Sequence, residues 1–164
     1  MLQLTEISDA HGFATFKELL LEYAHRDLAD AQHSSIWQDI AQLPGRYAAP
    51  QGCVLLAHWD AELAGCGAFV PTAKPGLAEI KRVYVRQALR QRGIARALTV
   101  QLLARAQSAL YRSAAISTWS DNGSALPLYR QLGFTPIAQF KEHSSERLIY
   151  LGLELPPAPP APPF

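Results

Sequence analysis

One stretch constrains the fold of this 164-residue chain more than any other. Val83-Tyr84-Val85-Arg86-Gln87-Ala88-Leu89-Arg90-Gln91-Arg92-Gly93-Ile94-Ala95-Arg96 runs from an apolar strand through a basic turn into an amphipathic helix. The first amides of a helix have no intrahelical acceptor, and with the helix dipole and nearby arginines they favour a phosphate. The turn reads as one built for a pyrophosphate. Two common phosphate loops are excluded, because neither G-x-x-x-x-G-K-[ST] nor G-x-G-x-x-G occurs in the chain.

What occurs instead is R-x-x-G-x-A, at Arg90, Gly93 and Ala95. Upstream lies Ala78-Glu79-Ile80-Lys81-Arg82-Val83-Tyr84-Val85, and downstream Asn122-x-x-Ala125-x-x-Leu128-Tyr129-x-x-x-Gly133-Phe134. The three ordered elements resemble the fourth strand, the Q/R-x-x-G-x-G/A turn and the N-x-x-A-x-x-L-Y-x-x-x-G-F element of the GCN5-related N-acetyltransferases (GNAT). Two positions depart from the family pattern. Gln87 stands where proline is usual, which affects loop stiffness, and Ala95 replaces the commoner glycine, which affects how closely a pyrophosphate approaches.

The resemblance implies an α/β (α+β) fold, the GNAT acyl-CoA N-acyltransferase fold, with a mixed seven-stranded sheet flanked by about four helices. Composition is compatible with this. At 18.0 kDa and 49% hydrophobic residues the chain suits one globular domain with a sizeable core. A domain over 1–155 is expected, followed by a proline-rich tail over 156–164. That tail cannot join a helix or sheet, and its expected states are disorder or docking on a neighbouring subunit or an SH3-like partner.

A net charge of +1 offers no overall basic field for nucleic acid. The run Lys81, Arg82, Arg86, Arg90, Arg92, Arg96 is local; it reads either as a solvated face or, beside the glycine turn, as a phosphate contact through Arg90 and Arg92. Cys53 and Cys66 lack C-x-x-C or histidine neighbours, so no metal site is expected. Each falls in an apolar run and reads as a buried free thiol, Cys53 opposite about Ala68 and Cys66 out of register with it. A reduced, cytoplasmic protein is expected. No signal-peptide pattern opens the chain and no apolar run approaches the roughly 18 residues of a membrane span.

Alternating Leu2–Ile7 predicts a strand, Asp9 a cap, and the helical spacing from Phe13 a helix to about Leu28. A shorter helix is predicted over 35–43, a hairpin over Cys53–His58 and Leu63–Val70, and a fourth strand over Ala78–Val85. A helix over Ile94–Tyr111, a strand over Ala114–Trp119 and a helix over 124–132 follow. Gly133 ends that helix, and strands over Phe134–Phe140 and 147–155 complete the order.

The resemblance implies an N-acetyltransferase in which acetyl-CoA and an amine meet in a ternary complex, without a covalent enzyme intermediate. The amine must lose a proton, having a pKa near 10. Glu79 matches the position of the family's base; otherwise it pairs with Lys81 or an arginine. Even alternation puts Glu79, Lys81, Val83 and Val85 on one strand face, with Ile80, Arg82 and Tyr84 on the other. Tyr129 matches the general acid for the departing thiolate, or packs on the coenzyme tail. The Val83 N–H is the implied donor to the thioester oxygen. The backbone of Val85 is the implied pantetheine partner, with Asn122 as a further contact or a helix cap.

The remaining coenzyme contacts implied are Tyr84, Arg90, Gln91, Arg92, Gly93, Ile94, Ala95, Arg96 and Tyr129. Tyr23, His33, Trp37, Tyr47 and His143 are candidates for an acceptor pocket. Near-neutral charge favours a small amine. The alternatives are a protein N-terminal or lysine acetyltransferase and a catalytically silent acyl-CoA-binding regulator. Dimers are common in the family, so a homodimer is admitted.

Overall fold

The computed structural model describes residues 1–28, 32, 34–119, 123, 125–142, 148–157 and 162–163. Its elements follow the order β1 (Leu2–Glu6), α1 (Ala10–Arg26), α2 (Ile36–Ala41), β2 (Cys53–Trp59), β3 (Glu62–Pro71) and β4 (Leu77–Val85). Then come α3 (Ile94–Ser108), β5 (Ser113–Trp119), α4 (Ala125–Gln131), β6 (Thr135–Pro136) and β7 (Leu148–Glu154). The seven strands form one mixed sheet in the order β1-β2-β3-β4-β5-β7-β6. Among the described residues only β4 and β5 run parallel, and they pair over three positions, Leu77–Glu79 against Ser113–Ala115, before parting.

Local chemistry accounts for the elements. The Asp9 carboxylate accepts from the Gly12 amide at 2.8 Å, so α1 starts at Ala10, a turn earlier than its apolar spacing suggests. Phe16, Leu19 and Leu20 are fully buried on its inner face, where each contributes roughly 1.5–3 kcal/mol. The β2–β3 hairpin turns through Asp60 and Ala61, both at positive φ, the backbone twist that two-residue hairpins favour. Cys53 lies opposite Phe69, one position from the expected Ala68, and both thiols are free and buried.

Two cores sandwich the sheet. One joins its lower face to α3 through Leu55, Phe69, Ile80, Leu98 and Leu102; the other joins its upper face to α1 and α2 through Phe16, Leu20, Val54, Cys66 and Tyr84.

Three expectations change. The strand expected over 134–140 is reduced to Thr135–Pro136, which form the ladder with β7, followed by one further bond from the Ile137 amide to the Tyr150 carbonyl at 2.9 Å. Helix α3 stops at Ser108, where Leu110 takes a left-handed φ of 72° and turns the chain toward β5. The even alternation of β4 fails at Arg82. A bulge breaks the β3–β4 register, pairing Ala68 with Lys81 and Cys66 with Tyr84, and Arg82 adopts a φ of 61°. Lys81 and Arg82 therefore both reach Asp39 on the α2 side, while Val83 and Val85 pack with the α3 core. Glu79 shares its face with Lys81, Arg82 and Tyr84, and not with Val83 and Val85.

The tail begins against the protein. The Gln107 side-chain amide donates to the Pro156 and Pro157 carbonyls at 2.9 and 3.1 Å. No helix among the described residues is long and apolar enough to cross a membrane.

Candidate active site

The parting of β4 and β5 opens a wedge in the sheet, and two cavities occupy it. The larger, about 910 Å³, is lined by Val83, Tyr84 and Val85 of β4, by Arg90, Gln91 and Gly93, by Ile94, Ala95 and Arg96 of the first turn of α3, and by Tyr129 of α4. All of these were singled out by the sequence. Gly93 caps α3 with a φ of 76°, and a Cβ there would meet nothing within 4 Å, so this backbone faces open space. No side chain caps α3, and its first amides stay available to a ligand. A basic helix start at one end and unpaired strand backbone along the wedge could hold an elongated molecule carrying phosphates. These residues fit acetyl-CoA.

The basic run divides: Lys81, Arg82 and Arg86 turn to carboxylates, while Arg90, Arg92 and Arg96 stay exposed. Lys81 and Arg82 turn to Asp39, and Arg86 bonds the Glu22 carboxylate at 3.1 Å and the Leu63 carbonyl at 3.1 Å. Arg90 donates to the Val85 carbonyl at 2.8 Å and pairs with Asp27 at the rim of the large cavity. Arg92 lies 5.4 Å from the centre of the Trp59 ring and does not line the cavity. Asn122 lies outside the described residues.

The second cavity, about 150 Å³, adjoins the first, and Tyr23, Leu28, Val83, Trp119, Ala125 and Tyr129 line both. Glu79, Lys81, Arg82 and Lys141 bring charge to its wall. Glu79 is buried, and its carboxylate accepts from Lys141 Nζ at 2.6 Å, a partner other than the Lys81 or arginine expected. Burial foremost, then the Arg82 guanidinium, pushes the Lys81 ammonium down to about 8 against the pull of Glu79 and Asp39.

Burial pushes the Tyr129 phenol up to about 12, with Tyr23 adding to the shift. Its ring sits edge-on to Phe134 at 5.9 Å. A phenol so placed keeps its proton at neutral pH, as a proton donor must.

Of the candidate acceptor residues, Tyr23 lines both cavities. Tyr47 is buried and donates to Asp39 at 2.5 Å, while Trp37 is exposed and lies tilted against His25 with ring centres 5.6 Å apart. His33 and His143 lie outside the described residues. Sequence reasoning missed Asp27 and Lys141 as site residues, and it read Lys81 and Arg82 only as members of a charge run. The two-residue spacing of Glu79 and Lys81 was a usable signal for Lys81; Lys141 offered none. Among the described residues no group of three or more His, Cys, Asp or Glu could hold a metal.

A split mixed sheet with a glycine-capped helix start at its wedge defines an acetyltransferase-type fold. Residues 15–134 match the pattern of the acetyltransferase (GNAT) family, and the chain belongs to that family. It is 27% identical over 141 residues, 85% of its own length and 86% of the relative's, to an uncharacterized N-acetyltransferase of Schizosaccharomyces pombe. Its fold is similar to that of a GNAT-family acetyltransferase from Streptococcus pneumoniae, with a TM-score of 0.73 at 15% identity, covering 95% of this chain and all of that one. It is also similar, with a TM-score of 0.66 at 20% identity over 94% of each chain, to a Salmonella typhimurium protein whose structure holds its cofactor acetyl-CoA.

Proposed function

We propose that this protein transfers an acetyl group from acetyl-CoA to the primary amine of a small molecule, by direct attack within a ternary complex. The observation that carries the reading is the meeting of the two cavities at Val83 and Tyr129 in the β4–β5 wedge. A donor in the larger and an acceptor in the smaller would face each other there, and positioning two bound reactants is itself a large source of rate. The modest second cavity suits a small amine.

In this reading acetyl-CoA supplies an activated acetyl thioester. The backbone of Val83, Tyr84 and Val85 holds its pantetheine arm, and Arg90, Gln91 and the amides of Gly93, Ile94, Ala95 and Arg96 hold its phosphates. Asn122 is a further contact by family resemblance, and Arg92 reaches the phosphates only by leaving Trp59. Glu79 takes the proton of the acceptor ammonium, directly or through water. The bulge takes Val83 out of regular pairing with β3, which supports its N–H as the fixed donor to the developing oxyanion. Tyr129 gives its proton to the departing thiolate. Two buried free thiols support a reducing, cytoplasmic setting.

The test is thiol release from acetyl-CoA across amines, amino acids and short peptides, with coenzyme binding followed by calorimetry on the same sample. Release with small amines is expected. Binding without release would point to the silent regulator, release with peptides alone to a protein acetyltransferase, and no binding would overturn the reading.

A further inference from the structure

Glu79 and Lys81 stand two residues apart on one face of β4, and both line the smaller cavity. Strand geometry sets such positions about 7 Å apart along the chain. One presents a carboxylate and the other an ammonium. The bulge adds the Arg82 guanidinium to the same wall, and Lys141 adds a second ammonium. Among the described residues this wall carries one carboxylate and three cations.

The counter-charge behind the wall is stretched thin. Asp39 Oδ2 accepts from Arg82 at 2.9 Å and from the Tyr47 hydroxyl at 2.5 Å, with Lys81 Nζ at 3.2 Å, while Arg46 takes Oδ1 at 3.3 Å. Lys81 and Arg82 are both more than nine-tenths buried at the side chain. Among the described residues four cations share the carboxylates Glu79 and Asp39; Lys81 and Arg82 are buried with them, while Lys141 is a quarter exposed and Arg46 nearly half exposed to water. Buried charge needs partners, and because Asp39 stands behind the wall, the face turned to the cavity presents more cations than carboxylates and is complemented by an anion.

Resting on the acetyl-transfer reading, we propose that the acceptor is amino-acid-like: a small molecule whose ammonium addresses Glu79 while its own carboxylate addresses Lys81 and Arg82. Such a molecule opposes each wall charge with its complement. A polyamine brings only cations to a wall already rich in them.

The experiment compares thiol release with amino acids and with their carboxamides, using wild-type protein, Lys81→Met and Lys141→Gln. The acids should exceed the amides in kcat/KM by about tenfold or more, and Lys81→Met should bring that ratio toward one. Amides or diamines that match or beat the acids overturn the proposal while leaving acetyl transfer intact. If no amine releases thiol, the transfer reading fails, and calorimetry of N-acetyl amino acids against their amides, titrated into the protein with coenzyme A, decides the anion site separately. Tighter binding of the acids upholds it; equal or absent binding overturns it. The wild-type comparison holds whether or not the variants fold.

Discussion

Arg82 reaches Asp39 across 43 positions of chain, donating to one oxygen, Oδ2, from Nε at 3.3 Å and from Nη2 at 2.9 Å. The contact ties α2 to the bulge in β4, where the left-handed backbone of Arg82 costs roughly 1–2 kcal/mol. Although burial alone would raise it, Lys81, Arg82 and the Tyr47 hydroxyl hold the Asp39 carboxyl well below the usual carboxylate range. Asp39→Asn leaves buried cations with a neutral partner and should destabilise the protein by about 3–5 kcal/mol. Denaturant unfolding measures this, and a loss under about 1 kcal/mol would mean the cluster is solvated.

Lys81 gives a pH signature. With its ammonium pushed down to about 8 from 10.5 by burial and then by Arg82, the folded chain releases this proton before the unfolded chain does. The penalty is fully present below pH 8 and is relieved as pH rises toward 10.5. The stability of wild type relative to Lys81→Met should therefore increase between about pH 8 and 10, approaching about 1.4 kcal/mol per pH unit. Tyrosines with raised pKa, Tyr84 among them, oppose the rise above that window and are shared by both proteins. A flat difference would mean that Lys81 titrates like a surface lysine.

Tyr129→Phe keeps the ring packed on Phe134 and removes the proton. Turnover should fall about 100-fold, with coenzyme affinity by calorimetry changed less than about threefold. Unchanged turnover would leave Tyr129 as a packing residue.

Glu79→Gln should lower kcat/KM most at neutral pH, where an amine with a pKa near 10 is protonated. The deficit should shrink as pH approaches that value and the free amine becomes abundant. A deficit constant across pH 7 to 10 would assign Glu79 to binding alone.

Arg90→Glu places a negative charge at the rim of the large cavity and strands Asp27. Coenzyme affinity should drop at least about 30-fold, equivalent to about 2 kcal/mol. Calorimetry that finds no change would remove Arg90 from the phosphate site.

The order of elements was legible because period-two and helical apolar spacing are local signals, and the turn at Arg90–Ala95 announced its cavity through a glycine that needs positive φ. The bulge was not legible. Lys81-Arg82-Val83-Tyr84-Val85 reads as smooth alternation, and a left-handed arginine leaves no mark in sequence when its stabilisation comes from a helix 43 residues away. Lys141 was hidden for a similar reason: its pairing with Glu79 spans 62 positions from a segment with no periodicity. The pattern located the larger cavity, and long-range pairing set the charge on the wall of the smaller one.

The parted strands have one more consequence. Beyond Glu79 and Ala115 the sheet keeps an edge inside itself, and exposed edges of this kind are what folded proteins cover, since they recruit stray extended chains. An extended ligand lying there would act as a missing strand, and binding to the folded state alone would stabilise that state with the logarithm of its concentration. Supply of such a ligand would then help set how much of the chain stays folded.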